Sequence, residues 1–337
     1  MKAGIINIVF ALAAFAAISS SCRKTIPYNP PYEGSMLVLN AQWYTTDTLH
    51  HVYLCRSTRA NVEDVEEGLS LKCYVNGELV CEPDTSWIMS RETGLGTVFH
   101  SRCFPVKAFL SPGDEVTLRA VSDSSDLTAS AIVLPPPDVV VDTSSVYVQD
   151  AAFHDRIYSF DVRLKDAPGT EDYYRAFSLQ AVSHSYWMKD DIQPADTVYQ
   201  YSSLDESDPV FKSVPIQLPG VSLVNGSNKS HVFSDELFSG GEYLFHFNLE
   251  DHRFVLSGRS GKERTVPEVY IRMAAITKDT FLYCLASNSL DYGSFGSLTE
   301  PPIVHENVSG GMGYFGIYSI SEHHIFLHEC IVEKYNW

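Results

Sequence analysis

Along most of this chain apolar and polar residues alternate one for one. In EVTLRAV, Val116, Leu118 and Ala120 alternate with Thr117 and Arg119. In YSFDVRL, Tyr158, Phe160, Val162 and Leu164 alternate with Ser159, Asp161 and Arg163. Tyr243, Phe245, Phe247 and Leu249 follow the same rule, as do Val269, Ile271 and Met273. A period of two sends successive side chains to opposite faces of a strand, so each run predicts a strand with one buried face. Turn signals separate the runs: Asn76-Gly77, Ser111-Pro112-Gly113-Asp114, Gly240-Gly241 and Gly310-Gly311. Many short strands punctuated in this way predict sandwiches or barrels. One stretch departs from the pattern. TKDTFLYCLASNS predicts a helix, with Thr277 as its cap, Asp279 at its positive end and Phe281 with Leu285 as an i, i+4 pair. The polar stretch from Tyr199 to Val232 predicts long loops.

Three successive prolines in PPPD, Pro135 to Asp138, cannot donate to a sheet ladder and mark a boundary. The expected fold class is therefore mostly β and two-domain. A β-sandwich of roughly immunoglobulin size over residues 35–134 precedes a larger β-sandwich or barrel-like domain over 139–337, with one or few short helices.

The start of the chain is different again. Ile5 to Ile18 is apolar apart from Asn7. The run suits the core of a secretory signal and is short for a membrane span, which needs about 20 apolar residues. Small residues Ser19 to Ser21 follow, and then Cys22. This resembles a bacterial lipobox in the loose form common among Bacteroidota. It implies a signal peptide over 1–21, cleavage before Cys22, and a lipid anchor on the Cys22 thiol. Residues 22–34 then form a tether. Pro27, Pro30 and Pro31 favour an extended path of about 3.1 Å per residue. Arg23 and Lys24 are basic where surface-exported relatives carry acids, so the periplasmic face and the cell surface both remain open.

Charge narrows the partners. Against 42 Asp and Glu stand 24 Lys and Arg, a net charge of −18. Such a surface repels a polyphosphate, so no nucleic-acid partner is expected. Of 7 cysteines, Cys22 belongs to the leader junction; Cys55, Cys73, Cys81, Cys103, Cys284 and Cys330 remain. An exported chain meets oxidising conditions, and both disulfides and buried free thiols fit these six. The hairpin CYVNGELVC turning at Asn76-Gly77 argues against one pairing. A two-residue loop sets Cys73 opposite Val80 and Cys81 opposite Lys72, which puts the two thiols on opposite faces. No CxxC spacing supports a zinc or thioredoxin-type site.

Several segments follow the order of a known family: LVLNAQW, HVYLCRS, SPGDEVTLRAV, TASAIVLPPP, FSDELFSGGEYL, FLYCLASNS and EPPIVHENVSGGMGYFGIYS. Together they resemble the Bacteroidota outer-membrane lipoprotein family of domain of unknown function 4249. The likeness spans nearly the whole mature chain, and its last segment is the most specific. It implies an outer-membrane lipoprotein whose first domain, the β-sandwich over 35–134, is immunoglobulin-like, in genes that often neighbour TonB-dependent receptors. It supplies no catalytic residues.

Other constellations have plainer readings. GMGYFG, Gly311 to Gly316, matches GxGxxG, but an alternating run follows where a nucleotide site needs a helix. Backbone geometry is the expected reason for these glycines. In EHHIFLHEC, a strand puts His324, Phe326, His328 and Cys330 on one face. His324 and His328 then lie about 13 Å apart, too far to share one metal ion. His50 and His51 point to opposite faces. The acids of NVEDVEEG lack the spacing of a calcium loop. Trp43, Trp87 and Trp187 are expected mainly in packing. Asp47-Thr48-Leu49 and Asp196-Thr197-Val198 resemble short O-glycosylation patterns. No catalytic, cofactor-binding or metal residues are assigned, and no cofactor is expected. The expected function is a lipid-anchored, non-enzymatic binding module of the outer membrane, accessory to a TonB-dependent transporter. A surface adhesin or display protein is the second reading, and a hydrolase with a carboxylate pair the third.

Overall fold

The computed structural model describes residues 36–57, 68–92, 98–150, 156–189, 191–202, 204, 207–212, 228–251, 266–290, 305–326 and 332–334. Cys22, the tether, the acidic loop at 61–67, His328 and Cys330 lie outside them. The protein is mostly β, with nineteen strands in three open sheets among the described residues.

The largest sheet runs in the spatial order β13 (Asp191–Ser202), β12 (Leu179–Lys189), β16 (Val266–Ile276), β18 (Met312–Phe326), β1 (Leu37–Tyr44), β2 (Leu49–Arg56), β6 (Val98–Lys107) and β5 (Trp87–Glu92). β11 (Tyr173–Ala176) joins it through β16 and carries β14 (Val232–Ser234) on its other edge. A second sheet orders β15 (Glu242–Asp251), β10 (Arg156–Lys165), β9 (Asp138–Asp150) and β19 (Val332–Lys334). The third orders β17 (Val308–Ser309), β8 (Asp126–Ile132), β7 (Glu115–Val121), β3 (Ser70–Val75) and β4 (Glu78–Cys81).

Alternation explains the burial. Val116, Leu118 and Ala120 are sealed, as are Phe160, Val162 and Leu164, and Val269, Ile271 and Met273. Tyr243 is only half-buried, at the rim of its sheet. Two cores result. In one, β3, β7 and β8 pack on β1, β2 and β6, with Trp43, Leu54, Val106, Leu118 and Phe315 at its centre. In the other, β10 and β15 pack on β16 and β11, around Phe160, Phe233, Phe245 and Ile271. Both sandwiches use the same long sheet. β18 is the shared strand: it runs parallel to β1 from Val38↔Met312 to Tyr44↔Tyr318, then antiparallel to β16 as far as Glu268↔Phe326. The sheet is thus continuous across Pro135 to Asp138.

Pro209–Lys212 forms a single helical turn, α1, and Lys278–Leu290 forms helix α2. At its start the Thr280 N–H donates to the Thr277 hydroxyl, and the Phe281 N–H to the Thr277 carbonyl. Phe281, Cys284 and Leu285 form the buried stripe of α2, which packs on Ala274, Ile276 and Tyr318 at the back of the long sheet. β13 carries the chain in strand through Ser202, where the polar composition predicted loop.

The hairpin at Asn76-Gly77 has the expected two-residue turn, with φ of 52° and 81°. Both values are positive, as a type I′ turn demands. The register beyond it corrects the sequence reading. Val75 pairs with Glu78 and Tyr74 with Leu79, but a bulge then sets Cys73 opposite Cys81. One extra residue on β4, Val80, shifts the ladder, and the two thiols come to one rung.

The segment VSGGMGYFG is a joint between sheets. β17 pairs with β8 in the third sheet, and two residues later β18 pairs with β1. Gly310 turns at φ 83°, and Gly313 at φ 120°. A Cβ at Gly311 would stand 2.5 Å from the Leu37 carbonyl oxygen, and one at Gly313 would overlap the Leu39 carbonyl. These glycines let two backbones approach, the reading favoured over a nucleotide loop. Asn307 closes the joint: its side-chain NH2 donates to the Phe315 carbonyl at 2.7 Å, and the Phe315 N–H donates back to its oxygen at 2.8 Å.

Candidate functional site

Three carboxylates converge where β10, β11 and β14 end. The chain leaves β10 at Lys165, turns through Asp166 to Asp172 and enters β11. β14 lies beside β11, with Ser234 opposite Tyr173 and Asp235 next in the chain. Asp166, Asp172 and Asp235 each bring one oxygen to within 4.8 Å of the others. Asp166 and Asp235 are buried.

The surrounding donors account for much of this arrangement. The Tyr174 hydroxyl donates to Asp166 Oδ1 at 2.5 Å, and the Gly240 N–H donates to Oδ2 at 2.8 Å. The Asp166 N–H donates to the Gly241 carbonyl. Asp166 therefore staples the β10–β11 turn to the Gly240-Gly241 turn. Thr170 donates to Asp172 Oδ2 at 2.7 Å. Asp235 accepts from the Asp172 N–H and from Ser239, and its own N–H donates to the Asp172 carbonyl. Burial pushes the Asp235 carboxyl above the usual range, and the neighbouring carboxylates of Asp166 and Asp172 add to it against those donors. Tyr174 is pushed well above an ordinary phenol, first by burial and then by its bond to Asp166. The cluster holds turns together and sets three carboxyl groups next to a cleft.

That cleft has a volume of about 640 Å3. One wall carries Glu171, Tyr173 and Asp235; the other is α2, with Lys278, Phe281 and Leu282. The Tyr173 and Phe281 rings lie 4.7 Å apart. Lys278 sits 3.5 Å from Glu171 and 5.8 Å from the Tyr173 ring centroid. An aromatic wall with charged rims suits reversible binding by stacking and hydrogen bonding. Among the described residues, the lining of the cleft includes no histidine or cysteine. Sequence reasoning passed over this site. Its carboxylates come from three separate segments, and the one local signal was DAPGTEDYY, a turn rich in acids beside two tyrosines.

The residues weighed from the sequence fall elsewhere. His324 is exposed on β18, bonds Glu268 at 2.9 Å and stacks on Tyr270 at 4.4 Å. Ile325 is buried on the opposite face, as the strand reading required. His50 is buried and His51 half-buried. Trp43 is sealed in the first core, whereas Trp87 is 43 % exposed on the edge strand β5. Thr48 follows Tyr44 and precedes β2 in an exposed turn.

The chain belongs to the family described as domain of unknown function 4249, whose model matches residues 23–324. No curated protein matches the chain.

Proposed function

We propose that this member of the family is a lipid-anchored binding module of the outer membrane, without catalysis of its own and accessory to a TonB-dependent transporter. One observation carries the anchor. The apolar leader ends at Cys22, and the family match begins at the next residue, Arg23. The leader is thus separate from the family's body, and the thiol stands at the junction where a lipid would be attached. The cleft beside α2 supports binding rather than turnover, since Asp235, the buried acid in its lining, is already held by Ser239 and the Asp172 N–H. The anionic surface and sheet-built body fit a partner in the envelope rather than a nucleic acid.

The test is Cys22→Ser in the native host. The expected product loses its acyl mass and moves from the membrane to the soluble fraction. A product that stays with the membranes and keeps the same mass overturns the anchor. The accessory role is read separately, by affinity capture of the wild-type protein from gently solubilised membranes. Recovery of a TonB-dependent receptor supports it, and capture without one overturns it. Surface adhesion would instead require that protease added to intact cells sheds the body.

A further inference from the structure

We infer that Cys73 and Cys81 form a disulfide bond that fastens the edge strand β4 to β3. The bulge at Val80 sets these two residues directly opposite one another. Directly opposed residues of an antiparallel pair have Cα atoms about 4.5–5.5 Å apart, inside the roughly 4.4–6.8 Å that a disulfide spans. Both side chains share a face: Cys73 is sealed within the first core, and Cys81 packs against that same core from the sheet edge. Both are free thiols in this structure, and their register and shared face are those a disulfide needs.

The other described thiols are placed differently. On β2 and β6, Tyr53 is opposite Cys103 and Leu54 opposite Arg102, so Cys55 reaches Cys103 only across a diagonal. Such diagonals run about 7–8 Å between Cα atoms. Cys103 accepts a hydrogen bond from the Tyr53 hydroxyl, and the Cys284 sulfur lies 3.4 Å from the Tyr318 hydroxyl. The Cys73–Cys81 rung is the one these registers align.

The position has a use. β4 is the outer strand of its sheet, with Leu79 and Val80 about half exposed. An apolar edge of this kind is a template for pairing with another chain. A covalent rung at its end holds β4 in register and limits fraying.

The oxidant is a small or protein disulfide, RSSR. Cys81 is the more accessible thiol, and its thiolate attacks RSSR, forming Cys81–S–SR and releasing RS⁻. The Cys73 thiolate then attacks the Cys81 sulfur, forming the Cys73–Cys81 bond and releasing the second RS⁻. Two cysteine thiols lose two protons and two electrons, and RSSR becomes two RSH. Burial pushes the Cys73 thiol up to about 12, which makes the second step slow in the folded chain and faster at alkaline pH.

The experiment uses the full chain, solubilised in detergent and equilibrated in glutathione buffers from reducing to oxidising. Free thiols are alkylated under denaturing conditions, and the chain is cut after Lys72, Glu78 and Glu82. The cut at Glu78 separates the two cysteines, so only a disulfide holds CYVNGE and LVCE together. The expected result is one linked, unalkylated species under oxidising conditions that falls into two peptides on reduction, and whose formation slows several-fold when the pH is lowered by one unit. Recovery of both peptides separately alkylated at every glutathione ratio overturns the inference. So does a link from either cysteine to Cys55 or Cys103. The readout is made on the wild-type chain, so it does not depend on whether Cys73→Ser folds.

Discussion

At the scale of the residue, His50 shows how burial writes a pH dependence into the core. Its ring stacks on Trp43, with centroids 4.4 Å apart and planes 18° from parallel. Its Nε2 faces the Ala108 carbonyl at 3.3 Å, a contact a neutral imidazole satisfies by donating one proton. Burial holds its pKa below the ordinary 6.5; the Ala108 carbonyl and Asp47 oppose that, and His51 adds to it. The unfolded chain then takes up a proton at a higher pH than the folded one. Stability from this group is complete above 6.5 and is lost as pH falls from 6.5 through the lowered folded value. The wild-type chain should therefore weaken between about pH 7.5 and 5 more steeply than His50→Phe, which has no proton to bind. Urea midpoints of both chains across that range check this. Parallel slopes would mean that the ring is not held neutral by its surroundings.

At the scale of the element, the sharpest local demand is at Gly313 in β18. Its φ of 120° is closed to ordinary side chains, and an added Cβ would collide with the Leu39 backbone of β1. β1 is held at Leu39 by β2 on its other side, and the Gly313 carbonyl is held by the Asn307 N–H, so there is little room for either backbone to yield. Gly313→Ala should cost about 4 kcal/mol or more, the range of backbone collisions in a core. Gly113 makes the comparison. Its φ is 93°, but nothing lies within 4 Å of an added Cβ. Gly113→Ala should cost only the conformational strain, about 1–2 kcal/mol. Chemical denaturation of the two variants gives the difference, and equal losses would sink the collision argument. The strands themselves were legible, because a half-buried strand must alternate and EVTLRAV, YSFDVRL and YLFHFNL have no other way to hide their apolar residues. Helix α2 was legible from its cap and its 281/285 pair. The bulge at Val80 was not: nothing in ELVC marks an extra residue, and the shift shows only in the register, which brings Cys81 against the first core. The carboxylate cluster was hidden for the same kind of reason, since Asp166, Asp172 and Asp235 meet only after β11 has docked between β14 and β16.

At the scale of the whole molecule, the strand that closes the first sandwich is supplied near the end of the chain. β1 begins at Leu37 and its parallel partner at Met312, and parallel pairing leaves no hairpin signature in the sequence to announce it. The prolines at 135–137 read as a boundary, yet Phe315 and Ile317 sit in the same core as Leu39, Leu54 and Leu118. Removing them has a calculable scale. Losing a buried Phe or Ile costs about 2–5 kcal/mol each, against a total stability of about 5–15 kcal/mol for a domain. The unpaired edge of β1 would add exposed N–H and C=O groups to that loss. Residues 35–138 expressed alone should therefore give no cooperative urea transition and should aggregate. The same fragment with residues 305–326 joined through a flexible linker should regain one. In the full chain, fluorescence and circular dichroism should report a single coincident transition, because β18 ties both cores together. A fragment 35–138 that unfolds cooperatively without β18 would mean that the first sandwich is complete without that strand, and that the joint at Gly310 to Gly313 serves some purpose other than closing it.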